Sequence, residues 1–208
     1  MVAAVVPDPP EPFDAQALTL PAGGKLFRVH QKTRPGNEFN PGIGAATRFA
    51  FFGNPVVPVL YAAATEQAAI AESLLHDIPL RGGALQQSAY TGNRMSRLTT
   101  TRDLRLALLA GLGLRRLGVI ADQVTSTPAA EYSRTVLWAE AAHKAGFDGV
   151  AYMSRQCNSD GAYAFFGDLA GDAFDLDLSY QWNFGDASTG RQKLIDFCSG
   201  LRVNVIVR

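Results

Sequence analysis

The sequence predicts an α+β domain with a mixed, mainly antiparallel central sheet and short flanking helices. Three observations favour this class. Apolar segments of strand length recur along the chain, a few other segments show helical spacing of apolar residues, and internal repeats are absent. Of the 208 residues, 47% are hydrophobic and 18% are charged, which is typical of a chain with a packed core. A chain of this length favours one core and therefore one site.

The predicted domain spans residues 25–208 and follows an N-terminal arm over residues 1–24. The arm is rich in Pro, Gly and acidic residues, which indicates a flexible or surface-draped segment. Its apolar run is short and no Lys or Arg precedes it, so it predicts neither a signal peptide nor an anchor. Beyond about residue 185 we expect a C-terminal extension of the core.

The first half of the domain predicts strands joined by one long loop. Strand "KLFRVH" starts at Lys25, a loop rich in Pro, Gly and Asn spans residues 31–47, and "RFAFFG" is predicted as a short aromatic strand. Loops of this length are more often functional than accidental. The strand "VLYAA" then leads into a helix over residues 66–76, with Thr65 as its N-cap. Its apolar residues recur at helical spacing: Ala69, Ile70, Leu74 and Leu75.

The second half predicts further strands and two helices. A strand near residues 104–109 precedes a short helix or turn. The segment "EYSRTVLWAEAAHKAG" predicts a helix that ends at Gly146. Its expected apolar side consists of Val136, Leu137, Ala141 and Ala142. The segments "GVAYM", "GAYAFFG" and "FDLDLSYQWNF" are strand candidates, and the tail predicts a helix and a terminal strand.

Composition excludes several classes of function. Nineteen basic residues balance nineteen acidic ones, so no excess positive charge is available for a nucleic-acid partner. Cys157 and Cys198 are far apart and the three histidines lack ligand spacing, so no metal site is expected. The sequence also lacks the roughly 18 unbroken apolar residues of a membrane span, which indicates a cytosolic protein without a membrane partner.

Five polar residues occupy positions that either a structural role or a functional role would explain. Arg28 lies inside an apolar strand, so it is exposed on an edge strand, pairs with a core carboxylate or binds an anion. Arg48 precedes three aromatic residues, so it either caps a turn or binds an anion. Glu72 falls near the apolar flank of its helix, where a carboxylate either pairs with an arginine or serves catalysis. Tyr61 and Ser154, at strand ends, are core or backbone-capping residues unless they contact a ligand.

Other patterns argue against familiar enzyme classes. Ser154 is not in a G-x-S-x-G elbow, so a serine hydrolase is not predicted. The glycine-containing turns match neither a Rossmann nor a Walker pattern. Glu66, in the first helical turn, interacts favourably with the helix dipole and is assigned to structure.

Taken in order, "LFRVH", "TRF", "VLYAAATEQAAIAE" and "GFDGVAYMSR" resemble the RES-domain family. The resemblance covers roughly residues 25–170 and implies an ADP-ribosyltransferase-like fold with NAD as the substrate and no metal. It also implies a toxin that degrades NAD and is held inactive by a Xre-like helix-turn-helix antitoxin. "ATRFAFF" departs from the family in lacking a Gly before its Arg.

The resemblance assigns roles to the same five residues. Glu72 would stabilise positive charge on the ribose, while Arg28 and Arg48 would grip the diphosphate. Ser154 would contact phosphate or ribose, and Tyr61 would stack on nicotinamide or hold the ribose. Hydrolysis or phosphorolysis of NAD is the leading prediction. A protein ADP-ribosyltransferase and a non-catalytic interaction module of the same fold are the alternatives.

Overall fold

An eight-stranded sheet lies at the centre of the computed structural model, which describes residues 5–79 and 81–208. In chain order the ten strands are β1 Ala17–Leu20, β2 Lys25–Gln31, β3 Val59–Ala63, β4 Gly83–Leu85, β5 Asn93–Thr100, β6 Leu104–Leu109, β7 Gly149–Met153, β8 Gly161–Phe166, β9 Phe174–Asn183 and β10 Val203–Val205. The large sheet has the order β1-β6-β7-β8-β3-β2-β5-β9. Its β6 and β7 run parallel and its other strand pairs are antiparallel. The predicted α+β class with a mixed, mainly antiparallel sheet is therefore confirmed.

Seven short helices flank this sheet in the described residues. They are α1 Glu66–Leu74, α2 Gln87–Tyr90, α3 Leu112–Arg116, α4 Ala121–Val124, α5 Tyr132–Lys144, α6 Gly167–Ala170 and α7 Gly190–Gly200. The predicted cap of α1 is confirmed, because the Thr65 side chain accepts a hydrogen bond from the Ala68 backbone N–H at 3.1 Å. Among these helices, none has both the length and the apolar character that crossing a bilayer requires.

Two local predictions were wrong. "RFAFFG" is not a strand, because the backbone groups of Thr47 and Ala50 pair with each other across a turn instead of with a neighbouring strand. Helix α5 buries a face rotated from the expected one, so that Ala142 is buried as predicted while Val136, Leu137 and Ala141 are only half-buried. Its buried residues are Thr135, Trp138, Ala139 and Ala142, since the large indole ring packs inward and fixes the rotation of the helix.

The N-terminal segment contributes to the core before Lys25. The first strand, β1, begins at Ala17 and pairs with β6 at the edge of the sheet. Val6 is 1% exposed, and the Trp138 indole N–H donates to the Pro7 carbonyl at 2.9 Å. Residues 1–4 of the predicted arm lie outside the described residues.

The C-terminal extension packs against α1. Helix α7 contributes Leu194 and Cys198, and strand β10 contributes Val203, to one apolar cluster with Ala69 and Ile70 of α1. Strand β10 pairs in parallel with β4 to form a separate two-stranded sheet. As a result α1 contacts strands β2, β3 and β8 of the large sheet and also the apolar cluster of the extension.

Candidate functional site

Helix α1 places Glu72 over the edge of the apolar core. Ala68, one helical turn earlier, is fully buried, and side chains four residues apart lie on the same helix face. Glu72 is half-buried, whereas its neighbour Ser73 is exposed. The sequence therefore brings a carboxylate to the side of the helix that faces the protein, while the helix itself is held by its cap and its buried residues.

Ser154 follows β7 and lies against that carboxylate. Its hydroxyl donates to Glu72 Oε1 at 2.7 Å and accepts from the Cys157 backbone N–H at 3.1 Å. The Gln156 backbone N–H also donates to Glu72 Oε1, at 3.4 Å. The Ser154 residue is fully buried. The hydroxyl hydrogen is thus already used by Glu72, so the geometry makes Ser154 a residue that orients the carboxylate.

Tyr61 and Arg48 are connected through the 47–50 turn. The Tyr61 hydroxyl accepts from the Phe49 backbone N–H at 3.0 Å and lies 2.9 Å from the Thr47 hydroxyl oxygen. Burial raises the pKa of Tyr61 to about 12, which keeps its phenol neutral. Arg48 is 8% exposed and donates through one terminal nitrogen to the Thr127 carbonyl at 3.3 Å. Tyr61 therefore holds the backbone that carries this buried arginine.

Tyr152 is a buried residue next to the turn that carries Arg48, and we did not single it out from the sequence. Its ring packs against that of Phe49, the residue after Arg48, with 5.2 Å between the ring centroids. Burial raises the pKa of this tyrosine, the charge of Glu72 raises it further and the charge of Arg48 lowers it. Tyr152 and Ser154 are two residues apart at the end of β7, a spacing that puts side chains on one face of a strand. This two-residue spacing was the sequence signal that could have identified Tyr152 as a site residue.

Tyr132 is a second missed residue. The guanidinium of Arg48 lies over its ring, 5.5 Å from the centroid. Tyr132 is the first residue of α5, far from Arg48 in sequence, and no local pattern connects the two. The candidate site in the described residues thus combines Glu72, Ser154, Arg48, Tyr61, Tyr152 and Tyr132.

Arg28 lies elsewhere. Phe27 and Ala63 pair across β2 and β3, so Arg28 lies on the face of Ala62 and not on that of Tyr61. One terminal nitrogen of Arg28 donates to two backbone carbonyls of the following loop, at 2.8 and 2.7 Å. Burial lowers its pKa to about 10, against the opposing charge of Glu38. The structure therefore brings four of the five predicted residues together and leaves Arg28 apart.

A cavity of about 240 Å³ adjoins Arg28. Its lining is provided by β2 and by the loop that follows: Arg28, Val29, His30, Gln31, Arg34, Pro35, Glu38, Phe39, Asn40 and Ile43. Arg28 is the one residue of the five predicted that contributes to this lining. Arg28 and Arg34 are the basic residues of this lining, and Arg34 pairs with the carboxylate of Glu38, which also lines the cavity.

Glu66 has the structural role that the sequence predicted. Its carboxylate accepts hydrogen bonds from the Tyr180 hydroxyl at 2.5 Å and from the Trp182 indole N–H at 3.0 Å. These contacts join the start of α1 to strand β9. Within the described residues, no group of three or more His, Cys, Asp or Glu side chains is placed to hold a metal ion.

Comparison with known proteins identifies the family. The RES-domain family model matches residues 25–185, which is most of the chain, and this protein belongs to that family. No curated protein matches the sequence significantly. Among solved structures, the chain is similar to one from the crystal structure of the M. tuberculosis MbcT-MbcA toxin-antitoxin complex. That match has a TM-score of 0.55 at 15% identity and covers 79% of this chain and 86% of the other, so it shows a shared fold.

Proposed function

We propose that this RES-domain protein is an enzyme that cleaves the nicotinamide–ribose bond of NAD. The observation that carries the proposal is the Glu72 carboxylate, which the Ser154 hydroxyl orients at 2.7 Å in a site that also contains the buried Arg48 and Tyr152. A carboxylate fixed in advance stabilises developing positive charge more effectively than one that must reorganise. A cation such as the ribose oxocarbenium ion is the species that this arrangement suits.

The proposed chemistry follows from the charge of the substrate. Cleavage of the bond between the nicotinamide nitrogen and ribose C1′ returns the bonding electron pair to the ring, so nicotinamide leaves as a neutral molecule. Positive charge moves from the ring to the ribose, and the Glu72 carboxylate stabilises this charge most strongly in the transition state. Attack by water yields ADP-ribose and a proton, while attack by inorganic phosphate yields a phosphorylated ADP-ribose. In this scheme Arg48 and Tyr61 bind and orient the substrate, and Ser154 orients the Glu72 carboxylate.

Arg28 is kept as a proposed anion ligand at a separate position. Its guanidinium lines a cavity in which Glu38 pairs with Arg34 and not with Arg28, and a guanidinium suits a phosphate or carboxylate. A direct partnership between Arg28 and Arg48 is not part of the proposal, because Arg28 lies on the sheet face opposite to Tyr61, whose hydroxyl holds the turn of Arg48.

We also propose that the protein is the toxin of a toxin–antitoxin pair. The RES-domain match and the structural similarity to a chain of a toxin–antitoxin complex support this role. As the family resemblance implies, the proposed partner is a Xre-like helix-turn-helix antitoxin. An enzyme that consumes a cofactor of central metabolism needs such an inhibitor in the cell that makes it.

Expression with metabolite analysis tests this function. Wild-type protein is induced in bacterial cells, and NAD, nicotinamide and growth are followed, with Glu72→Gln as the matched inactive variant. We expect growth arrest and NAD loss with the wild type and neither with the variant. Mass spectrometry of the same cells for ADP-ribose on proteins tests the alternative activity, and abundant labelling with a constant NAD pool would favour it. Neither NAD loss nor labelling would favour a binding module.

A further inference from the structure

Two arginines converge on a single backbone carbonyl next to the Glu72 group. Arg48 donates to the Thr127 carbonyl at 3.3 Å, and Arg155 donates to the same oxygen at 3.3 Å. Arg48 comes from the 47–50 turn, Arg155 directly follows Ser154, and Thr127 lies between α4 and α5. Three segments distant in sequence thus bring two guanidinium groups to one point.

The charges at this point are not balanced by the protein. Within residues 5–79 and 81–208, no Asp or Glu forms a salt bridge with Arg48 or Arg155. Arg155 is exposed, while Arg48 is almost fully buried. Two positive charges that meet without an acidic partner repel each other, and a bound anion removes that repulsion.

Two buried polar atoms at the same point also lack partners. Arg48 Nε and Thr127 Oγ1 form no hydrogen bond with any protein atom of the described residues. Buried polar groups are nearly always paired, because leaving one without a partner is unfavourable. Arg48 Nε and Thr127 Oγ1 are donors, and an anion with several oxygens accepts from both.

We propose that Arg155 is a substrate-binding residue that holds the diphosphate of NAD together with Arg48. This inference rests on the proposed function. The planar guanidinium binds phosphate oxygens in pairs, and two such groups match the two charges of a diphosphate. Arg48 supplies the buried, fixed side of the site and Arg155 the exposed side. Because Arg155 follows Ser154 directly, binding of the diphosphate sets the ribose close to Glu72.

Ligand binding by the purified full chain tests the role of Arg155. The dissociation constants of ADP-ribose and of nicotinamide are measured by calorimetry for wild type, Arg155→Met and Arg155→Lys, with Arg115→Met, an exposed arginine of α3, as the control. We expect Arg155→Met to weaken ADP-ribose binding about tenfold to a hundredfold, the effect of a lost hydrogen bond to a charged group. Nicotinamide has no phosphate, so its affinity stays unchanged. Arg155→Lys restores part of the loss and Arg115→Met behaves like wild type.

Separate results overturn the inference and the proposed function. If wild type binds ADP-ribose and Arg155→Met binds it equally well, Arg155 has no role in binding the diphosphate. If Arg155→Met weakens nicotinamide as much as ADP-ribose, the effect is a general disturbance of the site and the inference is wrong. If wild type binds neither ADP-ribose nor nicotinamide, the proposed function is overturned and the inference falls with it.

Discussion

Replacing Glu72 by Gln isolates the charge of the proposed catalytic carboxylate. The amide oxygen of Gln accepts the same two hydrogen bonds, from the Ser154 hydroxyl and the Gln156 backbone N–H, that Glu72 accepts now. The side chain therefore keeps its position. We expect the free energy of unfolding to change by about 1 kcal/mol or less, since hydrogen bonds are exchanged for slightly weaker ones. What is lost is one negative charge.

The size of the catalytic effect follows from that lost charge. At an effective dielectric constant of about 20, a carboxylate roughly 4 Å from a unit positive charge contributes about 4 kcal/mol. Part of this interaction already exists in the ground state, because the nicotinamide ring of NAD is itself positive. The stabilisation of the transition state relative to the ground state is then about 3 kcal/mol, in the range measured for preorganised electrostatic groups. We therefore predict a fall in kcat of roughly 100-fold to 1000-fold.

The assay is the initial rate of nicotinamide release at saturating NAD, with thermal melting to verify the fold. Glu140→Gln provides the control, because Glu140 is a carboxylate of α5 that pairs with Lys144. The control should keep the wild-type kcat. A folded Glu72→Gln protein that turns NAD over at the wild-type rate would refute the role of the charge.

Three further predictions concern the groups around the site. Glu66→Ala removes the acceptor of two hydrogen bonds from aromatic side chains of β9. Thermal melting should therefore show a stability loss of about 1–3 kcal/mol, with kcat preserved. A large fall in kcat at unchanged stability would contradict this role. Ser154→Ala removes the hydroxyl that orients Glu72, so kcat should fall about tenfold while KM stays nearly constant. A change in KM alone would indicate that Ser154 contacts the substrate instead. Burial, followed by the charge of Arg28, lowers the pKa of His30 to about 4, below its pKa in the unfolded chain. Between these two pKa values the unfolded chain binds more protons than the folded protein. The free energy of unfolding therefore falls by about 3 kcal/mol as the pH drops from about 6.5 to 4. Denaturation across this range should show that slope in wild type and lose most of it in His30→Gln, and equal slopes would refute the assignment.

Local chemistry in the sequence predicted the scaffold of the site well. The cap at Thr65 and the apolar spacing after it predicted α1, and with it the inward position of Glu72. The apolar segment "GVAYM" after the Gly146 stop predicted β7 and placed Ser154 at its end. These features depend on neighbours within one or two turns, so a single sequence contains the information.

The position of Arg28 was harder to predict. A charge inside an apolar strand needs a partner, and the sequence indicated a carboxylate or an anion. The structure supplies the carbonyls of Gly36 and Glu38 as acceptors instead. Alternation tells which residues of one strand share a face, but the register between β2 and β3 decides which faces coincide. That register depends on tertiary pairing, which the sequence does not display.

The convergence of Arg48, Arg155 and Thr127 was beyond prediction for a related reason. "RFAFFG" has the composition of a strand, yet its backbone forms a turn that places Arg48 beside α5. Thr127 lies in a connection without any recognisable motif. Each residue alone has an ordinary structural explanation, and only their common location indicates an anion site.

The most direct test is time-resolved proton NMR of NAD incubated with the purified protein, with and without inorganic phosphate. We predict that nicotinamide signals grow as those of NAD fall, that Glu72→Gln suppresses this release, and that a requirement for phosphate separates phosphorolysis from hydrolysis. If folded wild-type protein releases no nicotinamide in either buffer, cleavage of NAD by this site is contradicted.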